Sequence, residues 1–162
     1  MRISIVLGFL VALAFPAAAN AYDDPKALVE AIYQPYQSGQ RHDDVSQFFS
    51  ARLQQLFLDH AETAAAQADT SEPLVARPAF DFNPFIDGQN ALLLDVAIGE
   101  PLMVGDKALV TVGFHNFDNP TMLSLSLVRD ADGWKVDDVT SMGGAENWML
   151  SWLLRYDPWG VM

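Results

Sequence analysis

The spacing of apolar residues changes once along this chain: it is three to four positions in the first part and strictly alternating from Leu92 onward. Leu28, Ile32 and Tyr36 step by four, with Val29 and Tyr33 beside them, and so form one apolar helix face. Asp24-Pro25 supplies an N-cap and a proline suited to the first turn. The pattern predicts a helix over about residues 24–34, ended or kinked at Pro35, which lacks an amide hydrogen and clashes with the turn before it. Residues 38–44 are polar and read as a loop, with a short helical turn through Val45, Phe48 and Phe49 after it. Ser50 then caps a second helix that carries Leu53, Leu56, Phe57, His60 and Ala64 on one face and Gln54, Gln55, Asp59 and Glu62 on the other.

From Leu92, residues 92–102, 108–115, 122–128 and 134–139 read as four strands, and the short turns between them predict an antiparallel meander. Ala108, Val110, Val112 and Phe114 share one face of the second strand, and Leu123, Leu125 and Leu127 share one face of the third. The opposite face is small and mixed, with Leu109, Thr111, Gly113 and His115 beside Met122, Ser124 and Ser126. The apolar face has to be covered, and the helices are what the chain offers to cover it.

The last strand, Gly133-Trp134-Lys135-Val136-Asp137-Asp138-Val139, follows a tight turn rich in Asp and Gly. Regular alternation would put Asp138 on the same face as Trp134 and Val136. Either a bulge near Asp137-Asp138 returns Val139 to the core, or the face opens onto a cavity with Asp138 as its polar floor, and the sequence does not choose. Ahead of the strands, Phe80, Phe82 and Phe85 are interleaved with Asp81, Asp87 and an Asn83-Pro84 turn. Rings of that size belong out of water, so the three phenylalanines are expected to plug an open edge or end of the fold, with Pro84 and Phe85 structural and the two aspartates capping turns or facing a cavity. Near the end of the chain Trp148, Trp152 and Tyr156 step by four, which predicts a short helix whose aromatic ridge packs on the sheet as core; left exposed, it would be a contact surface.

Chemistry-bearing patterns are sparse. There is no nucleophile with a nearby base, no spaced metal-ligand set and no phosphate-binding glycine loop, so neither metal nor cofactor is expected. The run His42-Asp43-Asp44 reads as a solvated loop, because consecutive residues do not converge on one ion, and His60 reads as a hydrogen-bonded boundary residue. Tyr33, Tyr36, Asp81, Asp87, His115 and Asp138 are the candidate ligand contacts.

Met1-Arg2, the apolar residues 3–14 and the pattern Ala19-Asn20-Ala21 form a secretory signal peptide, residues 1–21, leaving a single domain over 22–162. The apolar run is well short of the ~20 residues that span a bilayer, so no stable membrane anchor is expected after cleavage. With no cysteine, packing alone must hold the exported domain. The chain has 9 Lys+Arg against 21 Asp+Glu, a formal charge of −12. That charge disfavours nucleic acid and anionic lipid and would steer a cationic ligand or a basic protein.

Together, residues 27–33, residues 49–53, the Asp81-to-Gln89 segment and the Gly133-to-Val139 strand resemble domain-of-unknown-function family 3828, secreted or lipid-anchored bacterial proteins. The resemblance covers most of the exported chain. It implies an α+β fold similar to nuclear transport factor two and the cystatin-like cones, with a curved antiparallel sheet of about four strands round N-terminal helices and a conical cavity between them. No catalytic residues come with it. The expected function is that of a periplasmic binding or accessory protein for a small molecule or another protein. One variant is an inhibitor or immunity protein against a cell-wall-directed enzyme. The alternative from another class is an isomerase- or dehydratase-like enzyme using Asp138 with Tyr33, Tyr36 or His115, which requires Asp138 to face an apolar pocket.

Overall fold

The computed structural model describes residues 21–68, 83–143 and 147–156. Residues 1–20, which fall in the expected signal peptide, and Phe80, Asp81 and Phe82 lie outside the described residues. Among those described, helix α1 spans Pro25–Gln37 and helix α2 spans Ala51–Ala68, with a 3-10 turn, Ser46–Phe48, between them. Five strands follow, β1 Leu93–Ile98, β2 Leu102–Val104, β3 Lys107–Asn116, β4 Asn119–Asp130 and β5 Gly133–Ser141, and helix α3, Leu150–Tyr156, comes last. The fold is α+β, with a curved antiparallel sheet in the order β1-β3-β4-β5.

The helix starts are built from the predicted caps. Asp24 accepts from the amide of Lys26, and Ser50 Oγ accepts from the amide of Leu53 at 3.1 Å. Pro35 does not end α1, which continues to Gln37. Proline this close to a C-terminus forfeits a single backbone bond, and its own carbonyl accepts from both the amide and the hydroxyl of Ser38.

The expected first strand is split in two. Leu93–Ile98 pairs with the end of β3 and Leu102–Val104 with its beginning, separated by Gly99-Glu100-Pro101, where Pro101 has no amide to give a ladder. In β5 the pairing steps from Ser126↔Asp138 to Leu127↔Val136, so Asp137 is the extra residue of a bulge. This settles the choice posed by the sequence: Trp134, Val136, Val139 and Ser141 are all buried, and Asp138 is not on their face.

The sheet's apolar face and α1 enclose the core. Val110, Val112, Leu123, Leu125, Leu28, Ile32 and Tyr33 have no exposed surface. Aromatic rings pack together between α1, the 3-10 turn and the sheet. Tyr33 lies 5.9 Å from Phe114, and Phe85, fully buried, lies 6.2 Å from Phe48 and 5.7 Å from Phe49. The C-terminal aromatic ridge is divided: Trp148 is half-buried and packs against the core, and the other two rings do not. Trp152 and Tyr156 are about half exposed, while Leu150, Leu153 and Leu154, the opposite stripe of α3, are buried.

Candidate functional site

Three aspartates that looked like ligand contacts or their neighbours hold helices and turns to the sheet. The bulge aims Asp137 at the start of α2. It accepts from Ser50 Oγ at 2.6 Å and from Arg52 Nε at 2.9 and 3.0 Å, while Arg52 Nη2 also donates to the Asp137 carbonyl. Burial alone would push this carboxyl up, but the hydrogen bonds from Arg52 and Ser50 outweigh it and leave it below its ordinary value. Asp138 serves α3, accepting from the Ser151 amide at 3.0 Å, the Ser151 hydroxyl at 2.5 Å and the Val139 amide at 2.9 Å. Asp87, at a φ of 49°, accepts from Trp148 Nε1 at 2.8 Å and Ser141 Oγ at 3.1 Å, tying its turn to the end of β5. Together Asp137 and Asp138 anchor segments that cover the free edge of β5, where Phe49 bridges Val136 and Met149 bridges Thr140.

Asp138→Ala is therefore expected to destabilise the domain by about 0.5–2 kcal/mol, as removal of a helix cap does. A urea unfolding curve with a lowered midpoint and unchanged slope is the check.

The remaining predicted residues do not converge. Tyr33 is fully buried with an unpaired hydroxyl, and burial, then nearby Tyr36, pushes its pKa well above the ordinary value. Tyr36 accepts from Asn83 Nδ2 at 2.6 Å. His115 lies on the exposed side of β3, 3.6 Å from Asp95. It sits opposite Pro120 of β4 whereas Asp138 sits opposite Ser126, which puts the two roughly 20 Å apart along the strands. His60 is buried and donates from Nδ1 to the Leu154 carbonyl at 2.9 Å, as a boundary residue would.

The open space lies elsewhere, beside the Asn83 turn. A cleft of about 750 Å³ is lined by Val45, Phe49, Phe57, Leu58 and Pro84 as apolar wall, with His42, Asp43, Asp44, Gln54, Asn83 and Gln89 among its polar groups. A second, of about 730 Å³, shares His42, Asp43, Asn83 and Gln89 with it and adds Tyr36, Arg41 and Phe117. Asn83, which lines both, is held by its turn: its Oδ1 accepts from the Phe85 amide, and its backbone N–H donates to the Gly88 carbonyl. From the far side Asn116 pins the same segment by donating to the carbonyls of Ile86 and Asn90. His42 is fixed between the rings of Tyr36 and Phe48, at 5.6 and 4.7 Å, and donates from Nε2 to the Ile32 carbonyl at 2.9 Å. Asp44 accepts from the Ser46 amide at 2.8 Å, and hydrogen bonds from Ser46 hold its carboxyl below the usual range. Sequence reasoning read the 42–44 run as solvated loop and missed the cleft.

No family model matches the chain, and no curated protein does. Among solved structures, it is similar to a chain in two crystal structures, selenomethionine and native, of the type VI effector-immunity complex Tae3-Tai3 from Ralstonia pickettii. The identities are 17% and 18%, over 76% of this chain and 100% and 99% of theirs, with TM-scores of 0.42 and 0.40. It is also similar to a phospholipid-binding protein from Ralstonia solanacearum, at 17% identity over 85% of this chain and 63% of that one, TM-score 0.35. At such scores these likenesses carry no inference about a partner.

Proposed function

We propose that this chain is an exported, periplasmic binding or accessory protein that holds another molecule in the double cleft beside Asn83 without doing chemistry on it. The observation that carries the reading is an open cleft of about 750 Å³ in a fold where the carboxylates of Asp137 and Asp138 are already committed to holding helices. The enzyme reading needs Asp138 in an apolar pocket, and its carboxylate is spent on Ser151 and Val139. Export rests on the signal pattern of residues 1–21. Membership in family 3828 is part of the same reading, supported by Asn83-Pro84-Phe85 and Gly133-Trp134, residues of the turn, core plug and last strand. The chain's acidity favours, as a finer version, an inhibitor or immunity role against a basic cell-wall-directed enzyme.

Native mass spectrometry of the protein released gently from the periplasm tests the reading. A non-covalent adduct is expected, and Leu58→Trp, which narrows the cleft at a residue 59% exposed, should abolish it. A chain that is always bare, or an adduct that survives Leu58→Trp, would overturn the assignment.

A further inference from the structure

The polar groups around the larger cleft are not balanced between donors and acceptors. Its lining holds Asp43 and Asp44 and, among the described residues, no lysine or arginine. Three of the lining side chains turn N–H groups to acceptors of the protein itself. Gln54 Nε2 donates to the carbonyls of Ser46 and Phe49, Asn83 Nδ2 to the Tyr36 hydroxyl, and His42 Nε2 to the Ile32 carbonyl. Both donors of Gln54 are consumed in this way, which leaves its amide oxygen as the group it can offer. Asp43 has no hydrogen-bond or ion-pair partner among the described residues. An anionic or carbonyl ligand would find few donors here, whereas a cation carrying several N–H groups meets carboxylates and amide oxygen at the rim of an apolar wall.

Resting on the binding role proposed above, we propose that this cleft receives a lysine or arginine side chain presented by a loop of a basic protein. Its alkyl stem lies along Val45, Phe57, Leu58 and Pro84, and its charged head is held by Asp43 and Asp44. The aromatic wall, where Phe57 is stacked on Phe49 at 5.3 Å, suits a cation as well as a hydrocarbon stem. Charge complementarity extends beyond the cleft, since a chain of net charge −12 steers a basic partner toward itself and repels an acidic one. Arg41 borders the second lobe, which Asp43 also lines, and is not part of the wall of the larger one.

The test is an NMR titration of the protein with a Gly-Ser-Arg-Ser-Gly peptide and with the same peptide carrying citrulline, the uncharged isostere. Amides of Asp43, Asp44, Val45 and Leu58 are expected to shift with arginine and not with citrulline. The doubly substituted Asp43→Asn, Asp44→Asn protein should bind about tenfold more weakly, as loss of a charge-assisted contact implies. Asparagine retains the Asp44 side-chain acceptor for the Ser46 amide, so the loop keeps its fold. Equal shifts from the arginine and citrulline peptides would overturn the cation while leaving the cleft a binding site. No shift from either would overturn both readings. Spermidine binding more tightly than the arginine peptide would replace the protein loop by a free polyamine and overturn the partner.

Discussion

Trp134→Ala is expected to lower stability by about 3–5 kcal/mol, the cost of deleting a large buried aromatic and leaving a cavity. Trp134 is 2% exposed, belongs to the central apolar cluster, and opens the strand on which two helices are anchored. The backbone around it has little room to collapse into the gap. Its amide donates to the Tyr22 carbonyl at 2.7 Å, and a Cβ on the preceding Gly133, at φ +101°, would meet that same backbone at 2.7 Å. A domain of this size has about 5–15 kcal/mol in total, so the loss is a large share of it. Urea unfolding followed by circular dichroism measures the change. Leu102→Ala, at a residue 66% exposed, is the control and should stay within about 0.5 kcal/mol. Equal midpoints for the two variants would show that the start of β5 is not part of the core.

The alternation that identified this strand also identified most of the fold, because burial on one face leaves a period in the sequence. The buried faces of β3 and β4, Val110 with Val112 and Leu123 with Leu125, are those that the pattern marked. The conflict at Asp138 was legible as a conflict, and its resolution was not, since a bulge is fixed by what the extra residue reaches. Asp137 reaches Ser50 and Arg52, more than eighty positions away in the chain. The aromatic ridge misled for a related reason: a step of four marks one helix face but does not say which face is turned inward. In α3 the competing stripe Leu150, Leu153 and Leu154 took the core and left Trp152 and Tyr156 outside. The cleft was least legible. Its walls come from residues 42–46, 49–58 and 83–89, and nothing in any one stretch shows that the three meet. A spent donor leaves no trace in composition, so the acceptor bias of its rim exists only in three dimensions.

Asp137→Ala is the second large effect, and it is expected to depend on pH. The substitution strands the buried hydroxyl of Ser50, which is 4% exposed, and the guanidinium of Arg52, so a loss of about 1.5–3 kcal/mol at neutral pH follows for hydrogen bonds to a charged group. Part of the ion pair is open to water, and that portion adds little. Because the folded carboxyl titrates below its unfolded value, its contribution is fully present above the unfolded pKa near 3.8 and disappears as pH falls through the folded one. The gap between wild type and Asp137→Ala should thus be wide at about pH 7 and shrink steadily below about pH 4, where the unfolded chain takes up the proton first. Urea midpoints measured across that range decide the matter. A gap that keeps its size in acid would mean that the carboxylate's charge is not what holds α2 to the sheet, and that the bulge serves only to turn Val139 inward. A gap that closes assigns both tasks to one inserted residue: it restores the register of the core face and, on the other side of the strand, supplies the anion that fixes the start of the second helix.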